Sequence, residues 1–220
     1  MRLLFALLLP FLLAAAPARD WSGVAVKQPS GAYLIGNPAA RVKLVEYASY
    51  TCPHCAAFAA ESAPVLHDRM VRSGSTSFEY RHLIRDGLDL AAAVLARCTG
   101  TRRFAATSAY IFATQDQWLP RGIEWQGANA QRIAVYPRLA QLRAMADGAG
   151  LTALVEARGL TPAAADACFA DAAGVDQILR MTAAVPAGVN GTPAFILNGK
   201  LVTGVGWAGL EPLLRAAGAR

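Results

Sequence analysis

Two of the four cysteines in this 220-residue chain, Cys52 and Cys55, lie three positions apart in the stretch VEYASYTCPHCAAFAAE. Pro53 and His54 separate them, an apolar run precedes them, and an alanine-rich segment typical of a helix follows. Three kinds of chemistry fit this spacing: a redox-active pair, half of a metal site, or an inert structural disulfide. The place of the pair in the fold decides among them.

The pattern puts Cys52 at the end of a strand and the start of a helix, which favours redox chemistry. The unpaired N–H groups of a first helical turn and the helix dipole both favour an anion there. The pKa of the Cys52 thiol should therefore fall well below its free value of about 8.5. Cys55 lies one turn deeper on the same face, and His54 is expected to stabilise the thiolate further. A stabilised thiolate makes the disulfide form an oxidant.

A zinc site at the CPHC motif would need a second pair of ligands. The remaining cysteines, Cys98 and Cys168, stand alone in the sequence, and His67 and His82 are isolated as well. We therefore expect neither a metal nor a cofactor. An inert structural disulfide at CPHC stays open as an alternative.

The elements that would position this pair come from both ends of the chain, with a long helical block between them. Apolar periodicity and turn residues predict strands at 33–35, 42–47 and 77–84, a helix at 53–71 kinked by Pro64, helices through 88–184, a hairpin at Asn198-Gly199 and a last helix at 207–217. A small α/β sheet built from both termini and interrupted by a helical insertion fits this order.

Residues 1–18 are interpreted as a signal peptide. Arg2 precedes an apolar run, and Ala16 and Ala18 form a cleavage site that leaves a mature domain at 19–220. An uncleaved membrane anchor is the alternative. Export would place the chain in the periplasm, where disulfides persist.

The formal net charge of +6 comes from basic residues scattered as singles and pairs. The chain has no run of five or more basic residues and no basic patch interleaved with aromatic residues. A solvated basic surface is the expectation, and nucleic-acid binding is not predicted.

The segments EYASYTCPHC and GVNGTPAFILNGKLVTG resemble the DsbA family of thioredoxin-like thiol–disulfide oxidoreductases. The resemblance covers nearly all of the mature chain and implies a thioredoxin-like fold with a helical insertion. It implies that Cys52 is the exposed nucleophile and Cys55 the buried resolving cysteine. Pro193 matches the family's cis proline, and Thr192 would offer its backbone to a substrate peptide. From composition alone, an ordinary turn before a strand is the alternative for Thr192-Pro193.

The resemblance also implies a role for Glu46, because the family carries a glutamate there that handles protons around the buried cysteine. The alternative is that Glu46 points to solvent from one face of its strand. Thr192 is a departure, since the best-known oxidases carry valine there and isomerase-type relatives often carry threonine. Those relatives usually have an N-terminal dimerisation domain, and we expect none here.

The resulting hypothesis is an exported thiol–disulfide oxidoreductase that donates the Cys52–Cys55 disulfide to reduced, unfolded or partly folded exported proteins. A membrane-bound, quinone-linked partner would re-oxidise it, as the resemblance implies. A disulfide isomerase or reductase of the same fold is one alternative, and a non-catalytic peptide-binding chaperone is another.

Cys98 and Cys168 are expected to form a second, structural disulfide. Once CPHC has its own pair, two cysteines remain in an oxidising compartment, and even parity favours bonding them. A subset of DsbA-like proteins carries such a bond. The alternative is two buried free thiols acting as small apolar residues.

Overall fold

The computed structural model describes residues 19–220, and the predicted signal peptide lies outside these residues. Its strands are β1 (Ala25–Lys27), β2 (Tyr33–Gly36), β3 (Val42–Ala48), β4 (Thr76–His82), β5 (Ala194–Leu197) and β6 (Lys200–Val202). Its helices are α1 (Pro53–Val65), α2 (Gly87–Cys98), α3 (Thr101–Ala113), α4 (Gln115–Ile133), α5 (Arg138–Gly148), α6 (Leu151–Glu156), α7 (Pro162–Ala170), α8 (Ala172–Ala183) and α9 (Trp207–Ala217).

The strands form one mixed sheet in the order β1-β2-β4-β3-β5-β6. β3 and β4 are parallel and are joined through α1, while the other neighbouring strands are antiparallel. Strands from before and after the helical block α2–α8 therefore lie side by side, which confirms the predicted fold class. β3 lies inside the sheet, and the chain leaves it directly toward the two cysteines.

The predicted hairpin is confirmed. Leu197 pairs with Lys200, so Asn198 and Gly199 form a two-residue turn with φ of 48° and 83°. Positive φ at both central residues is the requirement that the Asn-Gly dipeptide meets.

Two local features differ from the sequence-based expectation. β1 was not predicted, because it is three residues long, largely exposed and lacks apolar alternation. The helix predicted at 53–71 changes character after Pro64: α1 ends at Val65, and a π-helical segment, Leu66–Val71, follows. Proline removes one backbone donor and crowds the preceding turn, so the regular hydrogen-bond pattern is not kept.

The core beneath the cysteines is aromatic. The Phe58 ring of α1 lies 4.7 Å from the Phe195 ring of β5 and 6.2 Å from the Trp207 ring of α9. The Tyr80 ring of β4 lies 5.6 Å from the Phe104 ring of α3. Aromatic contacts therefore pack α1 against β5 and α9, and α3 against β4. Within residues 19–220, no helix combines the length and apolar character needed to cross a membrane.

Candidate active site

Cys52 caps the N-terminus of α1, with Pro53 in the first helical position. The cap has an extended backbone, and its carbonyl oxygen accepts hydrogen bonds from the N–H groups of Cys55 and Ala56, both at 3.2 Å. Proline costs nothing at this position, because its missing N–H would have had no helical partner. The strand-to-helix junction therefore sets the sulfur of Cys52 beside the open first turn of α1.

Both cysteines are free thiols in the structure, which is thus the reduced form of the pair. Cys55 is fully buried, but Cys52 is only 3% exposed, which corrects the expectation of an exposed nucleophile. The cause lies far along the chain: the Cys52 thiol lies 3.2 Å from the backbone oxygen of Thr192 and donates to it. The loop before β5 therefore covers the sulfur, leaving it at the wall of a surface groove.

The surroundings of Cys52 lower the pKa of its thiol to about 4. The largest cause is a side-chain hydrogen bond from Cys55, and partial burial opposes it. Smaller contributions that lower the pKa come from the Thr192 side chain and from the backbone N–H groups of Cys55 and His54. The Thr192 carbonyl favours the protonated thiol, yet the net direction is strongly downward. A thiolate at neutral pH is the attacking form of cysteine.

Cys55 behaves in the opposite way. The hydrogen bond that it gives to Cys52 raises the pKa of its own thiol far above the ordinary value, and burial and the nearby carboxyl of Glu46 add to this rise. The two sulfurs are therefore distinct in the reduced state, one a thiolate and the other a protonated thiol. This asymmetry suits a pair in which one sulfur reacts with the substrate and the other resolves the mixed disulfide.

Glu46 is 3% exposed, so the structure excludes the alternative in which it points to solvent. Its Oε1 has no hydrogen-bond partner among the described residues. Burial, and secondarily the Cys52 thiolate, raise the pKa of the Glu46 carboxyl to about 8. A buried carboxyl that titrates near neutral pH beside the sulfur pair can take up or release a proton there.

The His54 side chain is exposed. Its effect on Cys52 in the structure comes from its backbone N–H rather than from its imidazole. Stabilisation of the thiolate by the imidazole therefore stays a prediction.

The peptide bond between Thr192 and Pro193 is cis. It directly precedes β5, and Thr192 lines the same groove as Cys52 and His54. This groove has a volume of about 620 Å³, and its other wall includes Leu83, Arg85 and residues of the loop after α8. Both sequence segments quoted above thus meet at one place, although 140 positions separate Cys52 from Thr192.

The helical block supplies residues to this site that the sequence did not reveal. Gln115 donates from Nε2 to the backbone oxygens of Tyr50 and Cys52, at 2.7 and 3.0 Å. Asp89, which is 0% exposed, accepts from the Tyr50 N–H at 2.7 Å. Thr51 donates from Oγ1 to Asp86 at 2.7 Å. The turn between β3 and α1 is therefore held from α2 and α4.

One of these residues left a sequence signal. Asp89 interrupts the otherwise apolar run LDLAAAVLA, where a charged residue is expensive to bury without partners. Burial raises the pKa of the Asp89 carboxyl to about 7, against the hydrogen bonds that favour its charged form. Gln115 left no comparable signal, because a glutamine in a helical segment is ordinary.

Cys98 and Cys168 are joined by a disulfide with an S–S distance of 2.05 Å and a Cα–Cα distance of 5.9 Å. The bond connects the end of α2 to α7 within the helical block. Neither residue lines the groove at Cys52.

No group of three or more histidine, cysteine, aspartate or glutamate side chains suited to a metal occurs in the part of the chain that the structure describes. His82 is buried among the aromatic rings of Tyr50, Tyr80 and Phe104. Burial lowers the pKa of His82 well below its ordinary range.

Comparison with known proteins places residues 28–216 in a thioredoxin family. A Rickettsia conorii protein, named provisionally as a protein-disulfide oxidoreductase, is 35% identical over 103 residues, which is 46% of this chain and 37% of that protein. A Rickettsia bellii protein with the same provisional name is 27% identical over 76% of this chain and 56% of its own length. The chain thus spans about a third to a half of these curated relatives.

Solved structures give the same fold. The crystal structure of a protein-disulfide isomerase from Novosphingobium aromaticivorans has a TM-score of 0.78 and 33% identity, covering 84% of this chain and 96% of that chain. Wolbachia pipientis α-DsbA1 has a TM-score of 0.66 at 21% identity, covering 84% and 89%. Chlamydia trachomatis DsbA, at 14% identity, has a TM-score of 0.58 and coverage of 92% and 96%.

Proposed function

Since this chain belongs to the thioredoxin family, we propose that it is an exported, DsbA-like thiol–disulfide oxidoreductase that donates the Cys52–Cys55 disulfide to folding proteins. The observation that carries the proposal is the position of Cys52 at the N-terminus of α1, with its sulfur 3.2 Å from the backbone oxygen of Thr192. These surroundings lower the pKa of its thiol to about 4. Stabilising the thiolate stabilises the reduced protein, so the disulfide form gives its bond away.

The size of this preference follows from the pKa. At pH 7, a Cys52 thiol with a pKa of about 4 stabilises the reduced protein by at most ~4 kcal/mol, compared with a thiol of ordinary pKa near 8.5. The Cys52 sulfur lies at a solvent groove, so we discount this to about 2–4 kcal/mol for screening. The discounted range corresponds to a reduction potential raised by roughly 40–90 mV.

The exchange proceeds in two steps that balance. A substrate thiolate attacks Sγ of Cys52 in the oxidised protein, the bond to Cys55 breaks, and a mixed disulfide forms. Cys55 leaves as a thiolate and takes a proton, for which Glu46 is the adjacent source, with a pKa of about 8. A second substrate thiolate then attacks the substrate sulfur of the mixed disulfide. The substrate leaves oxidised, and Cys52 leaves as the stabilised thiolate.

The groove at Cys52 is the proposed binding place for an extended segment of substrate. Thr192 borders Cys52 in this groove, and its backbone offers hydrogen-bonding groups to a peptide lying beside the sulfur. Pro193 lines the adjoining pocket together with Thr192 and His54. Val185 and Val189 supply apolar surface, which an unfolded or partly folded chain can cover with its exposed apolar side chains.

Export to the periplasm and re-oxidation complete the proposal. The predicted signal peptide at 1–18 would direct export, and the Cys98–Cys168 disulfide suits an oxidising compartment. Each turnover leaves Cys52 and Cys55 reduced, so a partner must accept two electrons. A membrane-bound, quinone-linked protein is the partner that the family resemblance suggests.

Replacement of Cys52 by alanine tests the proposal directly. We expect the variant to lose oxidation of a reduced two-cysteine peptide, while a His67→Gln control, remote from the groove, keeps it. Full oxidase activity in Cys52→Ala would end the proposal.

An isomerase or reductase is a second candidate, favoured by Thr192 before the cis proline and by the isomerase named in the 33%-identical structure. Equilibration with glutathione separates the two. A reduction potential of about −120 mV indicates an oxidase, and one of about −270 mV indicates a reductant. A non-catalytic chaperone would instead show a Cys52 thiol that titrates at its ordinary pKa of about 8.5.

A further inference from the structure

The pocket that adjoins the substrate groove lies on the other side of the strand that leads to Cys52. It has a volume of about 380 Å³, and His54 and Thr192 line both the groove and this pocket. The remaining walls differ, because the groove includes the loop after β4 and the pocket includes the loop after β6. β4 and β6 lie on opposite sides of β3 in the strand order. The groove and the pocket therefore flank the reactive sulfur.

The groove carries a positive charge close to this sulfur. Arg85 is exposed and donates from Nη1 to the backbone oxygen of Thr51, the residue before Cys52, at 3.2 Å. Among the described residues, no acidic side chain lines the groove. The two carboxylate oxygens of the neighbouring Asp86 accept from Thr51 Oγ1 and from the Asp89 N–H. A peptide in the groove is therefore next to the Arg85 guanidinium.

The pocket carries a negative charge farther from the sulfur. His54, Ala57, Phe58 and Glu61 line it and share one face of α1, at the spacing i, i+3, i+4 and i+7. Glu61 is exposed, and it is the acidic residue of this lining. A helix rises 1.5 Å per residue, so Glu61 lies about 10 Å along α1 from His54.

Arg85 and Glu61 leave their charges available to a substrate. Neither forms an ion pair within residues 19–220. They line separate depressions, so each can pair with a different residue of one extended peptide. Complementary charges of this kind contribute to specificity more than to affinity.

We propose that the site distinguishes the order of charges around the substrate cysteine, with an acidic residue in the groove at Arg85 and a basic residue in the pocket at Glu61. An extended peptide advances ~3.3 Å per residue, so the basic residue lies about three positions from the cysteine. The acidic residue lies one or two positions away on the other side, because Arg85 contacts the residue next to Cys52. This inference rests on the proposed function, since it assigns the substrate class of the same site.

Two peptides of equal composition test the proposal. One has glutamate two residues before its single cysteine and lysine three residues after it, and the other has the reverse sequence. Each is equilibrated with Cys55→Ala protein that carries glutathione on Cys52. The peptide thiolate attacks Sγ of Cys52, the bond to the glutathione sulfur breaks, and glutathione leaves as a thiolate that takes a proton. Chromatography of the two mixed disulfides gives the exchange constant of each peptide.

Two features of this assay isolate recognition by the protein. Exchange of each peptide with glutathione disulfide in solution measures the intrinsic property of its thiol, which is divided out. The equilibrium also does not require the protein to donate a disulfide, so the charge preference can be measured even if the native protein fails as an oxidase.

We expect one charge order to be preferred at least about threefold at low ionic strength, because each exposed charge pair changes binding by a factor of about 1.4 to 5. This preference should shrink in 1 M salt, where exposed charges are screened within ~3 Å. The measured order then shows which end of the peptide lies in the groove.

Variants assign the preference to the two side chains. Arg85→Gln and Glu61→Gln should each reduce it, and the double variant Arg85→Glu/Glu61→Lys should favour the opposite peptide. Arg102→Gln and Glu124→Gln are the matched controls, because these exposed residues of α3 and α4 line neither depression. Both controls should keep the wild-type preference.

Equal exchange constants for the two peptides at low ionic strength would overturn the proposal. A preference that persists unchanged in both Arg85→Gln and Glu61→Gln would do the same, because the charges that act would then lie elsewhere. If the double variant does not fold, these two single variants decide the question.

Discussion

Replacing Cys55 by alanine should raise the pKa of the Cys52 thiol, because the hydrogen bond from Cys55 is the largest contribution that lowers it. A hydrogen bond to a charged group contributes about 1.5–3 kcal/mol. One pKa unit corresponds to about 1.4 kcal/mol, so we expect a rise of roughly 1–2 units, from about 4 to ~5–6. The pKa should not return to ~8.5, because the N–H groups at the start of α1 remain.

Thiolate absorbance in the ultraviolet measures this pKa. In Cys55→Ala, Cys52 is the free cysteine that titrates, since Cys98 and Cys168 are bonded to each other. Cys55→Ser is the matched control, because its hydroxyl can still donate and should keep the pKa nearer to that of the wild type. The complementary variant Cys52→Ala should show no thiolate in the acidic range.

The outcome discriminates between two physical origins of the lowered pKa. If Cys55→Ala titrates like the wild type, the helix N-terminus alone accounts for the thiolate and the role given to the Cys55 hydrogen bond is wrong. If Cys55→Ser rises as far as Cys55→Ala, a donor at this position is not what matters. Either result would refute the assignment of distinct roles to the two sulfurs through their mutual hydrogen bond.

Two further changes test the buried carboxyl and the second disulfide. The pKa of the Glu46 carboxyl is about 8 in the folded protein and ~4.3 in an unfolded chain, so the free energy of unfolding falls as pH rises through this window, by up to ~4 kcal/mol at pH 7. Glu46→Gln should remove this fall. If the unfolding free energies of variant and wild type change with pH in the same way from pH 4 to 8, the prediction is wrong. Changing both Cys98 and Cys168 to alanine should lower the free energy of unfolding by at most ~4 kcal/mol, because their disulfide closes a loop between residues 70 positions apart. A thiol count on the unreduced, unfolded Cys52→Ala/Cys55→Ala variant checks the bond, and two free thiols there would show that it is absent.

The parts of the fold that the sequence predicted are those governed by local pattern. The apolar run of β3 ends just before CPHC. The Asn198-Gly199 dipeptide strongly favours the tight two-residue turn of a hairpin. Position relative to a helix start was enough to predict the direction of the Cys52 pKa shift, although the largest cause is the hydrogen bond from Cys55 in the same motif. These features depend on a few adjacent residues, so no knowledge of distant contacts was needed.

The burial of Glu46 could not be decided from its strand. In VKLVEYA the residues on both faces are partly apolar, since Val45 and Tyr47 alternate with Leu44 and Glu46. Alternation identifies the core face only when the other face is polar, and a strand inside a sheet covered on both sides loses that contrast. The near burial of Cys52 is a similar case, because the atom that covers its sulfur belongs to Thr192.

The support of the active-site turn shows why such details escape sequence analysis. Tyr50 carries backbone groups that β3 and α1 do not pair, and Cys52, the residue that caps α1, makes no side-chain cap hydrogen bond. The partners of these Tyr50 groups, Asp89 and Gln115, lie 39 and 65 positions along the chain from Tyr50. A buried backbone group left without a partner costs about 1–3 kcal/mol, so these contacts make the geometry at Cys52 depend on the helical block. The insertion is therefore part of the redox site, and its sequence is constrained by the turn it holds as well as by its own packing.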